Sequence, residues 1–298
     1  MVRPPFVHPD YWALLGGKAP TPAPPATDLF TIRASINAAT QAASNALPSP
    51  AGMTTSVSVV TSTDGTEFNV TRFVPLSVQK SSETAQRAVI YGFGGGLIAG
   101  SVNISFNVIA NFAERTATQV FAPDYRLAPE HPYPAPLQDI YSTITWLQAH
   151  AGDFNVDPAR IVAFGQSAGG NLMASAALKA RDEGLTPPLT ALVLAYLGDS
   201  NGTEGQGTSN KVRKAAAPYT AAPGRAEDLH GLPPTHLGVG GLDLFRDANI
   251  RFAEKLSTHA VKVQFKIFPG VPHGFDGHPA FTLRTELWSN EARFIHRL

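Results

Sequence analysis

Near the middle of the chain a serine stands between two glycines, in Gly165-Gln166-Ser167-Ala168-Gly169. The apolar run Ile161-Val162-Ala163-Phe164 precedes it, and Gly170-Asn171-Leu172-Met173-Ala174 follows. The first run reads as a buried strand and the second as the start of a helix, so the five residues mark a strand-to-helix turn. A turn this tight needs small neighbours, because backbone approaches backbone there. It holds its central residue in a strained conformation and lifts the serine hydroxyl clear of the sheet. The helix that begins at Ala168 aims its first N–H groups at the same spot, where a negative oxygen would develop. An ordinary turn with a helix-capping serine uses the same residues, so the motif alone leaves both readings open.

The surrounding pattern decides between them. Apolar strands are expected at Ala88–Tyr91, Gln119–Ala122, Arg160–Phe164, Leu189–Tyr196, Thr235–Val239 and Val261–Phe268. Helices are expected at about 103–115, 136–149, 168–183, 247–259 and 280–297. Continuous apolar strands alternating with helices predict a mostly parallel sheet covered on both faces, an α/β fold. A hairpin precedes it: Val57, Val59 and Thr61 alternate, Asp64-Gly65 turns, and Phe68, Val70, Arg72 and Val74 alternate again. It places antiparallel strands at one edge. Residues 28–46 read as a helix capped by Asp28, with a stiff proline-rich linker at Pro20–Pro25 before it. Residues 1–50 are therefore expected as a separate N-terminal segment ahead of the sheet. Residues 51–298 are expected as the catalytic domain, with 198–230, rich in Gly, Asn, Thr and Pro, inserted as a small cap.

Composition excludes several classes. Lys+Arg and Asp+Glu both number 23, so no net charge points to a nucleic-acid partner or an anionic surface. No run approaches the roughly 20 apolar residues of a membrane span, and no leading segment reads as a signal peptide. With no cysteine there is no thiol nucleophile and no cysteine metal site. The histidines lack ligand spacing such as H-x-x-x-H, so no metal and no cofactor is expected. A cytoplasmic protein is the expectation.

A lone serine is a poor nucleophile and needs a base and an acid that orients the base. In α/β folds such groups sit past the C-terminal ends of strands. Asp243 follows the strand Thr235–Val239 in this way, and His273 follows Val261–Phe268. Asp247 competes for the acid, although it reads as the cap of the next helix. His278 competes for the base as a loop residue, and His236 lies inside a strand. His230, His259 and His296 have surface or helix readings. Order along the chain and placement after strands favour Asp243 and His273.

Six segments then stand in one order: Gly94-Gly95-Gly96-Leu97-Ile98-Ala99-Gly100-Ser101; Asp124-Tyr125-Arg126-Leu127-Ala128-Pro129-Glu130-His131-Pro132-Tyr133-Pro134; GQSAGGNLM from Gly165; Gly231-Leu232-Pro233-Pro234; Asp243-Leu244-Phe245-Arg246-Asp247; and His273-Gly274-Phe275. Over roughly residues 57–298 the chain resembles the hormone-sensitive-lipase-like branch of the α/β-hydrolases, which are serine carboxylesterases and lipases. The resemblance implies Ser167 as nucleophile, Asp243 as acid and His273 as base. It implies an oxyanion hole from the main-chain N–H groups of Gly95, Gly96 and Ala168. It also suggests a buried Arg126–Glu130 ion pair, a cap or lid over the pocket from residues 1–50 and the 198–230 insertion, and a homodimer through the sheet edge.

The chain departs from that family's pattern in three places. Phe93 stands where histidine precedes the glycines, Gln166 stands where aspartate precedes the nucleophile, and the segment between Ser167 and Asp243 is short. The expected activity is hydrolysis of small carboxylic esters with short to medium acyl groups. Phe93 motivates a second reading, an enzyme of specialised metabolism that acts on amides or without hydrolysis. The third is a ligand-binding protein with a silenced site.

Overall fold

The computed structural model describes residues 3–18, 28–83, 85–198, 218–279 and 281–298. Eight strands form one sheet: β1 (Thr54–Thr61), β2 (Glu67–Val74), β3 (Gln86–Gly92), β4 (Gln119–Pro123), β5 (Val156–Gln166), β6 (Ala191–Ala195), β7 (Thr235–Gly240) and β8 (Val263–Phe268). Their order across the sheet is β1-β2-β4-β3-β5-β6-β7-β8. β1 and β2 form an antiparallel hairpin, β2 also runs antiparallel to β4, and every pair from β4 to β8 is parallel. The expected antiparallel edge on a parallel sheet is therefore what the chain forms.

Burial explains the strand sequences. β4 and β6 are buried at every position, as strands covered on both faces must be. β1, at the edge, shows Val57 and Val59 to solvent and buries Val60. The helices are α1 (Pro9–Leu14), α2 (Leu29–Asn45), α3 (Leu76–Gln79), α4 (Phe106–Thr116), α5 (Ala135–Ala149), α6 (Ala168–Asp182), α7 (Arg246–Thr258) and α8 (Leu283–His296). α1 and α3, of 6 and 4 residues, were beyond reach of a periodicity reading. Asp28 caps α2 as expected, accepting from the Thr31 N–H at 2.8 Å. Asp247 does not cap α7: Phe245 holds that position, and Asp247 sits in the first turn paired with Arg246. β6 ends at Ala195 rather than Tyr196, because Tyr196 takes φ +39° and turns the chain. The proline-rich 20–25 stretch and residues 199–217 of the expected cap insertion lie outside the described residues.

The ion pair expected between Arg126 and Glu130 does not form. Arg126 grips Asp139, which is wholly buried on α5, through Nε at 2.9 Å and Nη2 at 2.7 Å. It also reaches Asp64 in the β1–β2 turn at 2.8 Å. Glu130 instead pairs with Arg33 of α2 at 2.6 Å. The spacing of four between Arg126 and Glu130 suits a helix, but residues 126–130 are not helical, so their side chains diverge.

Two buried titratable groups give the fold a pH signature. Burial pushes the Glu291 carboxyl up to about 8, and Arg115, 3.8 Å away, offsets only part of that. Burial also lowers the His236 imidazole to about 4. Between 4.5 and 8 native Glu291 keeps a proton that the unfolded chain releases, so stability falls as pH rises through that window. Between 6.5 and 4 unfolded His236 takes up a proton that the native chain refuses, so stability falls as pH drops. The slopes oppose below 6.5, and Glu291 acts alone above it. The unfolding free energy from urea titrations should therefore fall by about 2 kcal/mol between about pH 6.5 and 8. In Glu291→Gln the fall should vanish; an unchanged slope would reassign it to another group.

Candidate active site

The three residues that order and placement favoured meet at the C-terminal ends of β5, β7 and β8. Ser167 takes φ +52°, ψ −118°, which an L-residue adopts only under constraint. The constraint comes from both flanks. A Cβ on Gly165 would lie 2.4 Å from the Gly169 carbonyl, and one on Gly169 would lie 2.1 Å from the Gly92 oxygen. Only glycine fits at either position, so β3, β5 and α6 close to backbone contact around the serine. The Ser167 N–H donates to the Ala195 oxygen at 3.0 Å, and its carbonyl accepts from Gly198 at 2.9 Å.

The loops after β7 and β8 are laced to each other. Leu242 N–H donates to Val271 O at 2.9 Å, and Gly241 N–H to Phe268 O at 2.7 Å. They bring Asp243 and His273 together: Asp243 Oδ2 lies 2.8 Å from His273 Nδ1. His273 Nε2 lies 2.8 Å from Ser167 Oγ. Asp243 is enclosed, with its side chain 0% exposed, whereas His273 keeps 26%. A sealed carboxylate fixes the ring through Nδ1 and leaves Nε2 facing Ser167. Asp243 Oδ1 also accepts the Phe245 N–H at 2.7 Å, so both its oxygens are engaged. Tyr196 and Phe245 pack edge-on against the imidazole, with ring centres at 5.0 and 5.3 Å.

The glycine loop lies directly beside this row. A Cβ on Gly94 would come within 3.4 Å of the Ser167 side chain. Gly95 has φ +133° and Gly96 φ +66°, backbone conformations that favour glycine. Among the described residues nothing accepts from the N–H groups of Gly95 or Gly96. Ala168 opens α6, so its N–H has no place in the helix ladder. The three groups expected as oxyanion donors are thus main-chain N–H groups at the same end of the sheet.

Phe93 carries its own support. Its ring is 1% exposed and stacks on Tyr125 at 4.1 Å between centres, 12° from parallel. The Tyr125 hydroxyl donates to the Phe93 carbonyl at 2.6 Å. Stacking and a main-chain hydrogen bond fix the loop without an imidazole. Phe93→His should keep kcat/KM for p-nitrophenyl butyrate within about threefold, since an imidazole can stack on the same phenol. Phe93→Ala should cost about 3–5 kcal/mol of stability by leaving a cavity. A large gain in rate from the histidine would show that the loop is imperfectly held.

Sequence reading missed the residues that hold this site from a distance. From α2, Arg33 donates to Ile98 O at 2.5 Å and Ala128 O at 2.8 Å, and Asn37 Oδ1 accepts the Gly100 N–H at 2.8 Å. Nothing in a polar residue on an amphipathic helix announces such a reach of more than 60 positions. The competing histidines lie elsewhere. His236 is buried beside Phe294, His278 packs on Phe281, and His296 meets Thr116 O at 2.8 Å. Asp228, His230 and His259 cluster within 4.8 Å, but both His259 nitrogens face carbonyls of Lys255 and Glu227 at 2.8 and 3.0 Å.

Comparison with known proteins follows the same lines. A family model described as alpha/beta hydrolase fold matches residues 89–277, more than half of the chain. Esterase LipI of Mycobacterium tuberculosis is 34% identical over 211 residues, 64% of this chain and 66% of that protein. Carboxylesterase NlhH of the same organism is 35% identical over 211 residues, 63% of this chain and 66% of its own length. The chain thus spans just under two thirds of the length of these relatives. Among solved structures, a bacterial heroin esterase superposes with TM-score 0.87 at 28% identity, covering 98% of each chain.

Proposed function

Because the chain belongs to the α/β-hydrolase fold family, in its hormone-sensitive-lipase-like branch, we propose that it is a serine hydrolase of small carboxylic esters. The observation that carries this is the continuous row Asp243–His273–Ser167, with 2.8 Å at each step, at a strained serine beside a glycine loop. Relatives named esterase and carboxylesterase support the same reaction class.

The mechanism follows from the geometry. Ser167 Oγ attacks the ester carbonyl carbon while His273 Nε2 takes its proton. Asp243 steadies the imidazolium through Nδ1. The carbonyl oxygen becomes an oxyanion held by the N–H groups of Gly95, Gly96 and Ala168. The intermediate collapses, the C–O bond to the alcohol breaks, and His273 returns the proton to the departing alkoxide. An acyl group now sits on Ser167. Water attacks it as His273 accepts a proton, and the second collapse frees the acid and restores the serine.

Domain organisation and assembly belong to the same proposal. In this reading α1, α2 and the described residues 218–230 belong to the cap over this site, and two copies pair along β8, the terminal strand that exposes Ile267. No helix among the described residues is long and apolar enough to cross a membrane, and we place the enzyme in the cytoplasm on the sequence reading alone.

Hydrolysis of p-nitrophenyl acetate, butyrate and octanoate, beside fluorophosphonate labelling, tests the reaction. The expected result is turnover highest on acetate or butyrate, with labelling confined to Ser167. Labelling without turnover of any ester would favour the amide-acting or non-hydrolytic reading. Neither labelling nor turnover would favour the ligand-binding one.

A further inference from the structure

Gln166, directly before the nucleophile, is a neutral residue where the resemblance puts an aspartate. The carboxylate is not missing from the neighbourhood. Asp276 lies three residues after His273, on the short helical turn Phe275–Gly277, and is 4% exposed. Its Oδ2 accepts from Gln166 Nε2 at 3.3 Å and from Trp288 Nε1 of α8 at 3.0 Å. Gln166 Oε1 in turn accepts from the Tyr91 hydroxyl at 2.7 Å, which fixes the amide with its nitrogen toward Asp276.

We infer that Asp276 is a positioning residue for this site: through Gln166 it ties the loop that carries His273 to the strand that carries Ser167. Asp276 touches neither substrate nor reacting atom. It has this task only if Ser167 and His273 act as proposed above. A base on a loop must hold its nitrogen within a few tenths of an ångström of the serine oxygen. His273 is anchored on one side by Asp243, which fixes the ring from the β7 loop. Asp276 supplies the second anchor, to Gln166 at the end of the nucleophile's own strand. The link is polar, buried and asymmetric, one carboxylate facing one amide, so removing either chemistry leaves an unsatisfied group.

That asymmetry supplies the test. Asp276→Asn leaves two amides facing each other, and Gln166→Asp leaves two buried carboxylates. The double variant Gln166→Asp/Asp276→Asn restores one of each with the positions exchanged. The readouts are kcat and KM on p-nitrophenyl butyrate, the rate at which a fluorophosphonate labels Ser167, and Tm. Each single variant should lose about tenfold in both kcat and labelling rate with KM within threefold. The double variant should recover to within about threefold of the wild type, a rescue that simple loss of packing does not give.

Single variants as fast as the wild type overturn the inference, whatever their Tm. So does a double variant no faster than its singles. If the double variant does not fold, Asp276→Ala assayed well below its Tm decides: a tenfold loss at unchanged KM supports the link, and wild-type rates overturn it. A wild type inert to both ester and fluorophosphonate removes the triad reading itself, and the positioning role with it.

Discussion

Ser167→Ala should abolish ester hydrolysis, with kcat lower by about 10⁴–10⁶-fold while the chain folds as before. The size follows from what the hydroxyl does. Among the described residues Ser167 Oγ is the one side-chain oxygen hydrogen-bonded to His273 Nε2, at 2.8 Å. Asp243→Asn should cost about 10⁴-fold, although it removes only a charge. An asparagine amide can donate to Nδ1, which selects the tautomer with its proton on Nε2, so that Nε2 no longer accepts the serine proton. The two variants separate the roles: Ser167→Ala eliminates fluorophosphonate labelling, whereas Asp243→Asn only slows it. Residual turnover within a hundredfold of wild type in Ser167→Ala would remove the acyl-enzyme mechanism. Steady-state kinetics on p-nitrophenyl butyrate, with circular dichroism to check the fold, decide the matter.

Gly95→Ala should lower kcat by about 10²–10³-fold with KM nearly unchanged. A Cβ there would sit 2.0 Å from the Ala99 oxygen, at φ +133°, so the loop must move rather than absorb it. The moving part carries the N–H groups of Gly95 and Gly96, which in the proposed mechanism serve the oxyanion more than the planar ester. Differential binding of this kind appears in kcat. Gly152→Ala is the control, because nothing lies within 4 Å of a Cβ at that exposed turn. Equal rates in Gly95→Ala and wild type would mean that the glycine loop does not hold the oxyanion.

Much of this was legible along the chain. Continuous apolar strands and helical spacing predicted the layers and the parallel sheet, since burial on both faces leaves a one-dimensional trace. The Asp64-Gly65 hairpin and the Asp28 cap were readable for the same reason: each rests on residues two to four apart. Element ends were less legible. β6 stops at Ala195 because Tyr196 turns out at φ +39°, and a tyrosine carries no sign of that.

Partner choice was where sequence reading failed. Arg126 has one carboxylate four residues on and chooses another thirteen on, Asp139, with Asp64 from the hairpin. Only the crossing of α5 beside the β1–β2 turn brings those acids within reach. Phe93 looked like a lost support, and in the fold it rests on Tyr125, whose phenol hydrogen-bonds the same loop.

The sequence by itself determined the layered α/β architecture, the turn that strains Ser167, and which acid and base follow which strands. Those depend on local periodicity, on glycine's missing Cβ and on chain order. The tertiary structure alone decided which groups touch. Asp243, His273 and Ser167 are 30 and 106 positions apart and come to 2.8 Å because three parallel strands end at one rim. Asp276 meets Gln166 across 110 positions by the same convergence. Contacts between distant residues are set by how the layers pack, and packing leaves no periodic mark on the chain.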